Sequence, residues 1–218
     1  MRIYHGAGQI VIKPRFGAGK PYNDFGPGFY CTESKELAAE WAVSPIDNGY
    51  ISSYAINTDN LRITDLCSSR YNVLHWLRVL MDFREFDAGS APLHDAKEYI
   101  GRNFFVDYQV ADCIAGYRAD SCNFAFAQDF LNGRLSYQRL RELLSMQSCK
   151  QFVIKSKRAF EDLTYVSYES AACIEYYPAM NSREIRLLKT AGAPPAPGEL
   201  FISQMIEEEI KSYDPRLR

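Results

Sequence analysis

Residues 15–28 read RFGAGKPYNDFGPG, which places four glycines and two prolines in one short segment. No helix or strand interior survives that density of residues whose φ is either unrestricted or fixed. The chain must therefore break here, between a β-like run before the segment and whatever comes after it. What comes after is FYCTESKELAAEWA (29–42). Thr32 or Ser34 can cap a helix running to about Ala42, with Leu37, Ala38, Trp41 and Ala42 on one face. Two aromatics, Phe29 and Tyr30, stand directly at the exit of the constrained loop, and that placement needs a reason.

The remaining segments are short and alternate in type. IYHGAG (3–8) reads as a strand and QIVIKP (9–14) as a second, ended by Pro14. YISSYAI (50–56) and LRITDL (61–66) read as a strand pair around NTDN, whose Asn and Asp suit a turn. NVLHWLRVLMDF (72–83) has helical amphipathic spacing, whereas 84–98 is mixed and reads as an insertion or loop. FFVDYQVADCIAGYRAD (104–120) passes from helix-like into a short strand that stops near Gly116. Helices are expected over 123–132 and 136–147, the second capped by Ser136. KQFVIKS (150–156) is a compact strand, Ser156 can cap KRAFEDL, ACIEYY reads as a strand or a helix end, and SREIRLLK reads as a helix.

AGAPPAPG (191–198) can sustain neither helix nor sheet and reads as a linker. Beyond it, Leu200, Phe201, Met205, Ile206 and Ile210 share one side of an amphipathic stretch. It is expected either to dock on its own domain or to form a contact with a partner. The expected organisation is a domain over 1–190, a Pro-rich linker over 191–198 and a C-terminal amphipathic helix or tail over 199–218. Strands and helices in mixed order, without internal repeats, point to an α+β domain.

Composition narrows the setting. Of 218 residues, 47% are hydrophobic and 14% aromatic, enough for a packed core. No apolar run is long enough to span a bilayer, and the start lacks a signal-peptide pattern, so a cytoplasmic location without membrane contact is expected. The six cysteines are scattered without a CxxC and read as reduced thiols; His5, His75 and His94 are too dispersed for a zinc site, so no metal is expected. Between Arg134 and Arg158 seven basic residues face one acid, Glu142. That run is either a solvated face or a surface that attracts phosphates, nucleic acid included.

Three pieces fit one another: YHG (Tyr4-His5-Gly6), FGPGFYCTESKELAAEWA (25–42) and KQFVIKS (150–156). Together they resemble the ADP-ribosyltransferase superfamily, in its diphtheria-toxin-like and poly-ADP-ribose-polymerase-like branch. That branch has a His-Gly strand, an FGxGxY loop entering a helix, a second aromatic eleven residues after the loop tyrosine, and a late strand with an acidic residue. Trp41 stands at the second aromatic position. With DCIAGYRAD and QFVIKSKRAFEDL included, the layout is most similar to the bacterial domain of unknown function 3990, over roughly residues 3–190.

The resemblance implies a split-β-sheet fold with peripheral helices and a mono-ADP-ribosyltransferase that uses NAD as co-substrate. It implies a macromolecular acceptor, protein or nucleic acid, and a bacterial toxin or toxin–antitoxin setting in which an antitoxin or inhibitor protein is a further partner. The chemistry asks for a clasp on the nicotinamide amide, a sandwich for its ring, and support for the ribose hydroxyls as positive charge develops. The resemblance assigns NAD binding to Tyr4, His5, Gly6, Phe29, Tyr30 and Trp41, and catalysis to His5, Tyr30 and Gln151. Arg15 and Lys20 are candidates for the pyrophosphate.

Two positions depart from the family pattern. Gln151 stands where the polymerases carry glutamate, so it can accept a hydrogen bond but carries no charge. Ala38 replaces a serine that bonds the nicotinamide amide. Asp120, in GYRADS, is the candidate for the missing carboxylate, with a helix cap as its other reading. An NAD glycohydrolase and a non-catalytic NAD- or ADP-ribose-binding module remain the alternatives. The DFG at 24–26 lacks every accompanying kinase motif, and no signature supports a Cys-His hydrolase built on Cys31 or Cys113.

Overall fold

A computed structural model describes residues 1–86, 91–119, 121–146 and 150–217. In chain order the strands are β1 (Arg2–Ala7), β2 (Phe29–Cys31), β3 (Gly49–Ile56), β4 (Ile63–Asp65), β5 (Cys113–Tyr117), β6 (Lys150–Ile154) and β7 (Leu163–Ala171). The helices are α1 (Lys35–Ala42), α2 (Val73–Met81), α3 (Ala91–Asn103), α4 (Ser121–Leu131), α5 (Tyr137–Met146), α6 (Lys157–Glu161), α7 (Cys173–Ala191) and α8 (Ile202–Glu207). The chain is an α+β fold.

The strands form two sheets, β1-β3-β7 and β2-β6-β5-β4. The first is antiparallel throughout, and the second contains one parallel pair, β4 with β5. Among the described residues a single isolated bridge joins them: Tyr4 and Thr32 exchange backbone hydrogen bonds of 2.8 and 2.9 Å. Between the sheets lies a core of Ile3, Phe29, Cys31, Tyr54, Phe152 and Ile154. Strand alternation sends Tyr30 and Val153 to the opposite face, against the larger helical core of Trp76, Leu77, Phe104, Phe130 and Leu140. Gln151, two residues before Val153, shares that face.

Local chemistry places the helices as expected. Ser34 accepts from the Leu37 N–H and Ser156 from the Ala159 N–H, which starts α1 and α6. Asn72 and His75 form a reciprocal box at the start of α2, and Trp76 on that helix donates its Nε1–H to Tyr117 O.

Five expectations change, the first being that the helix-like start of FFVDYQVADCIAGYRAD is irregular, with residues 104–112 running between α3 and β5 without a helix. Residues 9–14 form no strand; Val11 is tied to β3 by side chains instead, its N–H to Ser52 Oγ and its carbonyl to the Tyr54 hydroxyl. LRITDL does not pair with YISSYAI, because β1 and β7 already occupy both edges of β3; β4 joins the other sheet beside β5. The 84–98 stretch contains the start of α3, whose Leu93, Ala96, Tyr99 and Ile100 are buried. ACIEYY and SREIRLLK belong to one helix, α7, with Pro178 inside it.

After α7 the chain runs without regular structure to α8, which ends as Glu209 turns left-handed at φ 50°. Leu200, Ile202, Met205, Ile210 and Leu217 are buried in the helical core, and Tyr137 donates its N–H to Leu200 O and its hydroxyl to Leu217 O. The tail therefore packs on the body of the protein.

Candidate functional site

The glycine-rich loop before β2 closes on itself. The Tyr30 hydroxyl donates to Gly26 O (2.7 Å) and accepts from the Phe25 N–H (3.0 Å). Gly26 supplies the φ of 75° this turn requires, and Phe25 is fully buried. Both hydrogen bonds hold Tyr30 by its polar end, so what it offers to a neighbour is its ring. Lys155 donates to Phe25 O and pins the loop from just past β6.

His5, Gly6, Phe29, Tyr30, Trp41 and Gln151 line one cavity of about 480 Å³. They come from β1, β2, α1 and β6. His5 Nδ1 lies 2.7 Å from Tyr30 O, which can only accept, so Nδ1 carries the proton and Nε2 is left as the acceptor of the neutral ring. Burial holds His5 below the usual imidazole range, favouring that neutral form. Its ring stacks tilted on Phe29, with centroids 4.6 Å apart; Phe29 itself belongs to the core between the sheets.

Packing requires a glycine at position 6. A Cβ there would sit 1.7 Å from Ala38 O, so the missing side chain is what lets α1 pack against β1. Tyr4 spends its N–H and C=O on Thr32, and alternation turns those of Gly6 to the same edge, away from β3. No backbone group among the described residues bonds them there, and that edge is the split between the sheets.

Trp41 is partly buried at the end of α1, with the Arg118 guanidinium 4.7 Å from its ring centroid. One face of the indole therefore already carries a cation. Tyr4 does not line the cavity; it packs with the Ala38, Ala39 and Ala42 cluster on α1. Arg15 lines an adjoining cavity of about 500 Å³ that shares His5, Gly19, Gly28 and Phe29 with the first. Lys20 lines the first cavity itself. Asp120 lies outside the described residues.

The sequence reading missed three charged residues in this cavity: Asp24, Arg84 and Arg118. Asp24 is 6% exposed and accepts from Arg84 Nη1 (2.7 Å), the Ala119 N–H (2.8 Å) and Gln151 Nε2 (2.9 Å). Burial pushes its carboxyl above the usual range, against the pull of these donors. Asp24 could have been singled out, because an acid abuts the loop that delivers Tyr30. Arg84 and Arg118 carry no such sequence signal. Lys20, Arg84 and Arg118 against one acid leave the lining net positive, and Lys13 and Arg15 extend that bias into the adjoining cavity.

Other features point elsewhere. A larger cavity of about 820 Å³ is bounded by the β4–α2 segment, Tyr117, Tyr137 and the C-terminal tail, and none of the expected site residues lines it. Part of the basic run is spent on contacts within the fold: Arg134 pairs with Asp129, Arg139 with Glu142 and Glu199, and Arg158 donates to Asn60 O. Cys31 and Cys113 are buried and their thiols pushed up by desolvation, Cys113 to about 12, which makes them poor nucleophiles. Among the described residues no helix is long and apolar enough to cross a membrane.

No curated protein and no solved structure matches the chain. A family model described as "Protein of unknown function (DUF3990)" matches residues 1–165, a span that contains every residue named in the cavity lining. The chain belongs to the DUF3990 family.

Proposed function

We propose that this protein is an NAD-consuming mono-ADP-ribosyltransferase with the split-sheet fold of that superfamily. The observation that carries the reading is convergence: His5 and Gly6, Tyr30, Trp41 and Gln151, far apart in sequence, line one cavity of about 480 Å³. That volume is within the range of small-molecule sites, roughly 300–1,000 Å³. The net positive lining suits a pyrophosphate.

In this reading the Gly6 N–H and C=O, facing the split, clasp the nicotinamide carboxamide. Tyr30 supplies a ring whose position its own hydroxyl bonds fix, and Trp41 supplies a second wall. His5 Nε2 and Gln151 accept from ribose hydroxyls as the bond from ribose to nicotinamide breaks and the sugar becomes cationic. Lys20, Arg84 and Arg118 hold the phosphates.

NAD labelled in its adenylate half, incubated with the purified protein with and without cell lysate, tests this. Label on a macromolecule, protein or nucleic acid, with nicotinamide released, supports transfer. Free ADP-ribose makes the protein a glycohydrolase, and intact NAD bound with measurable affinity makes it a binding module. Absence of any affinity for NAD refutes the reading altogether.

A further inference from the structure

We propose that Asp24 is a positioning residue whose buried carboxylate fixes the Gln151 amide so that Oε1 faces the cavity and is polarised by the charge behind it. The kinetic consequences rest on the NAD-cleaving function proposed above; the geometric claim does not.

The two ends of a glutamine amide are usually interchangeable in shape, and only their neighbours decide which is which. Here the neighbours decide. Gln151 Nε2 lies 2.9 Å from Asp24 Oδ2 and 3.1 Å from Tyr117 O, two groups that accept hydrogen bonds. Both amide hydrogens are consumed, so the nitrogen is turned inward. Oε1 is the only polar atom of the side chain that remains, and no described residue donates to it, although Gln151 is 2% exposed and lines the cavity. No buried side-chain oxygen among the described residues lacks a partner, so an Oε1 without one is open to the cavity, a site prepared for a donor.

Asp24 is held as tightly as the amide it orients. Its carboxylate is bound by Arg84, just after α2, by the backbone before α4, and by β6 through Gln151. Hydrogen bonds in series polarise one another, and a carboxylate accepting from Nε2 makes the far oxygen a better acceptor. The negative charge that a glutamate at position 151 would supply directly is thus supplied here one hydrogen bond further back. Gln151 is then no deficit but the outer half of a two-residue unit. Asp24 lies beside the loop that holds Tyr30, so the same turn sets both the aromatic wall and the acceptor.

The test is a swap. Asp24→Asn puts an NH₂ group among three donors, and Gln151→Glu puts two carboxylates together. Each is expected to lower kcat for NAD cleavage by about 10- to 100-fold, the effect of losing a hydrogen bond to a charged group, without a matching change in NAD affinity. In the double variant Asp24→Asn/Gln151→Glu an amide again donates to a carboxylate across the pair, while the new NH₂ meets the Ala119 N–H and the new carboxylate meets Tyr117 O, so kcat is expected to rise above the worse single variant. A purely structural role for Asp24 would lower the melting temperature and leave kcat per folded molecule unchanged, which would overturn the proposal. A double variant no better than the worse single variant would overturn it too. Where a single variant does not fold, the double decides alone: folded and active supports the unit, folded and inert refutes it.

If the wild-type protein neither binds nor cleaves NAD, the proposed function falls but the unit is still decided. Gln151 side-chain amide protons, identified by their loss in Gln151→Glu, should exchange slowly in wild type and fast in Asp24→Asn. Equal exchange in the two would refute the orientation.

Discussion

Gly6→Ala is the sharpest probe of how β1 and α1 together build the cavity. The added Cβ would fall 1.7 Å from Ala38 O and 2.7 Å from Ala38 C, whereas real Cβ atoms essentially never approach closer than 3.0 Å. Both clashing partners are backbone, so no side chain can rotate away and the helix itself must withdraw. Overpacking of a close-packed contact costs about 1–3 kcal/mol, and an immovable partner puts this case toward the upper end. A stiffer unfolded chain returns only about 0.4–1 kcal/mol. A net loss near 2 kcal/mol lowers the melting temperature of a chain this size by about 4–8 °C. Trp41 rides on the same helix, and a displacement of about 1 Å at a positioned group can reduce turnover roughly 100-fold. Thermal unfolding, tryptophan emission and, for the proposed function, NAD turnover are measured together, with Gly8→Ala as control because its Cβ meets nothing within 4 Å. If Gly6→Ala melts with Gly8→Ala and its tryptophan emission matches wild type, the account of β1 against α1 is wrong.

Three further outcomes are expected. Gly101→Ala, in α3 with open space around the new Cβ, should stabilise by about 0.5–1 kcal/mol, read as a rise in thermal midpoint. His5 is held below 6.5, so as pH falls through the window between 6.5 and its folded value the unfolded state takes up the proton first and stability drops. The melting temperature of wild type should therefore fall more than that of His5→Gln between about pH 7.5 and 5.5, and parallel curves would contradict the assignment. Ending the chain at 198 removes Leu200, Ile202, Met205, Ile210 and Leu217 from the core, each worth about 1.5–3 kcal/mol. That truncated protein should lose cooperative unfolding by calorimetry, and a sharp wild-type transition would show that the tail is dispensable.

The sequence exposes what depends on neighbours in the chain. The Ser34 cap, the amphipathic run of α2 and the compact β6 are all local patterns, and each lies where its residues predict. The strand β7 is hard to read because a bulge opposite Ser53 and Tyr54 interrupts its alternation at Val166. The β4–β5 pair is hidden because parallel pairing is decided by which edges are already occupied, and a hairpin-like turn says nothing about that. At the site the residues with a motif, His5, Gly6, Tyr30, Trp41 and Gln151, are legible. Asp24 is visible as an acid at the loop that delivers Tyr30, but its role is not, because its partner is Gln151, 127 positions away. Arg84 and Arg118 reach the cavity from the end of α2 and the end of β5, and no periodicity marks a residue that acts by where its element stops.

The β3–β7 ladder sets a condition on how this protein can be cut. The family match ends at 165, inside β7, while the pairing with β3 continues to Ala171 opposite Gly49. A fragment trimmed to the matched region would strip the partner from Gly49–Ser53 and leave a row of bare N–H and C=O groups beside the buried Ile51. Such a row is a template for any extended chain that meets it. The fragment would be expected to pair with copies of itself before it showed any chemistry, so inactivity or aggregation there would report the severed strand and not the cavity.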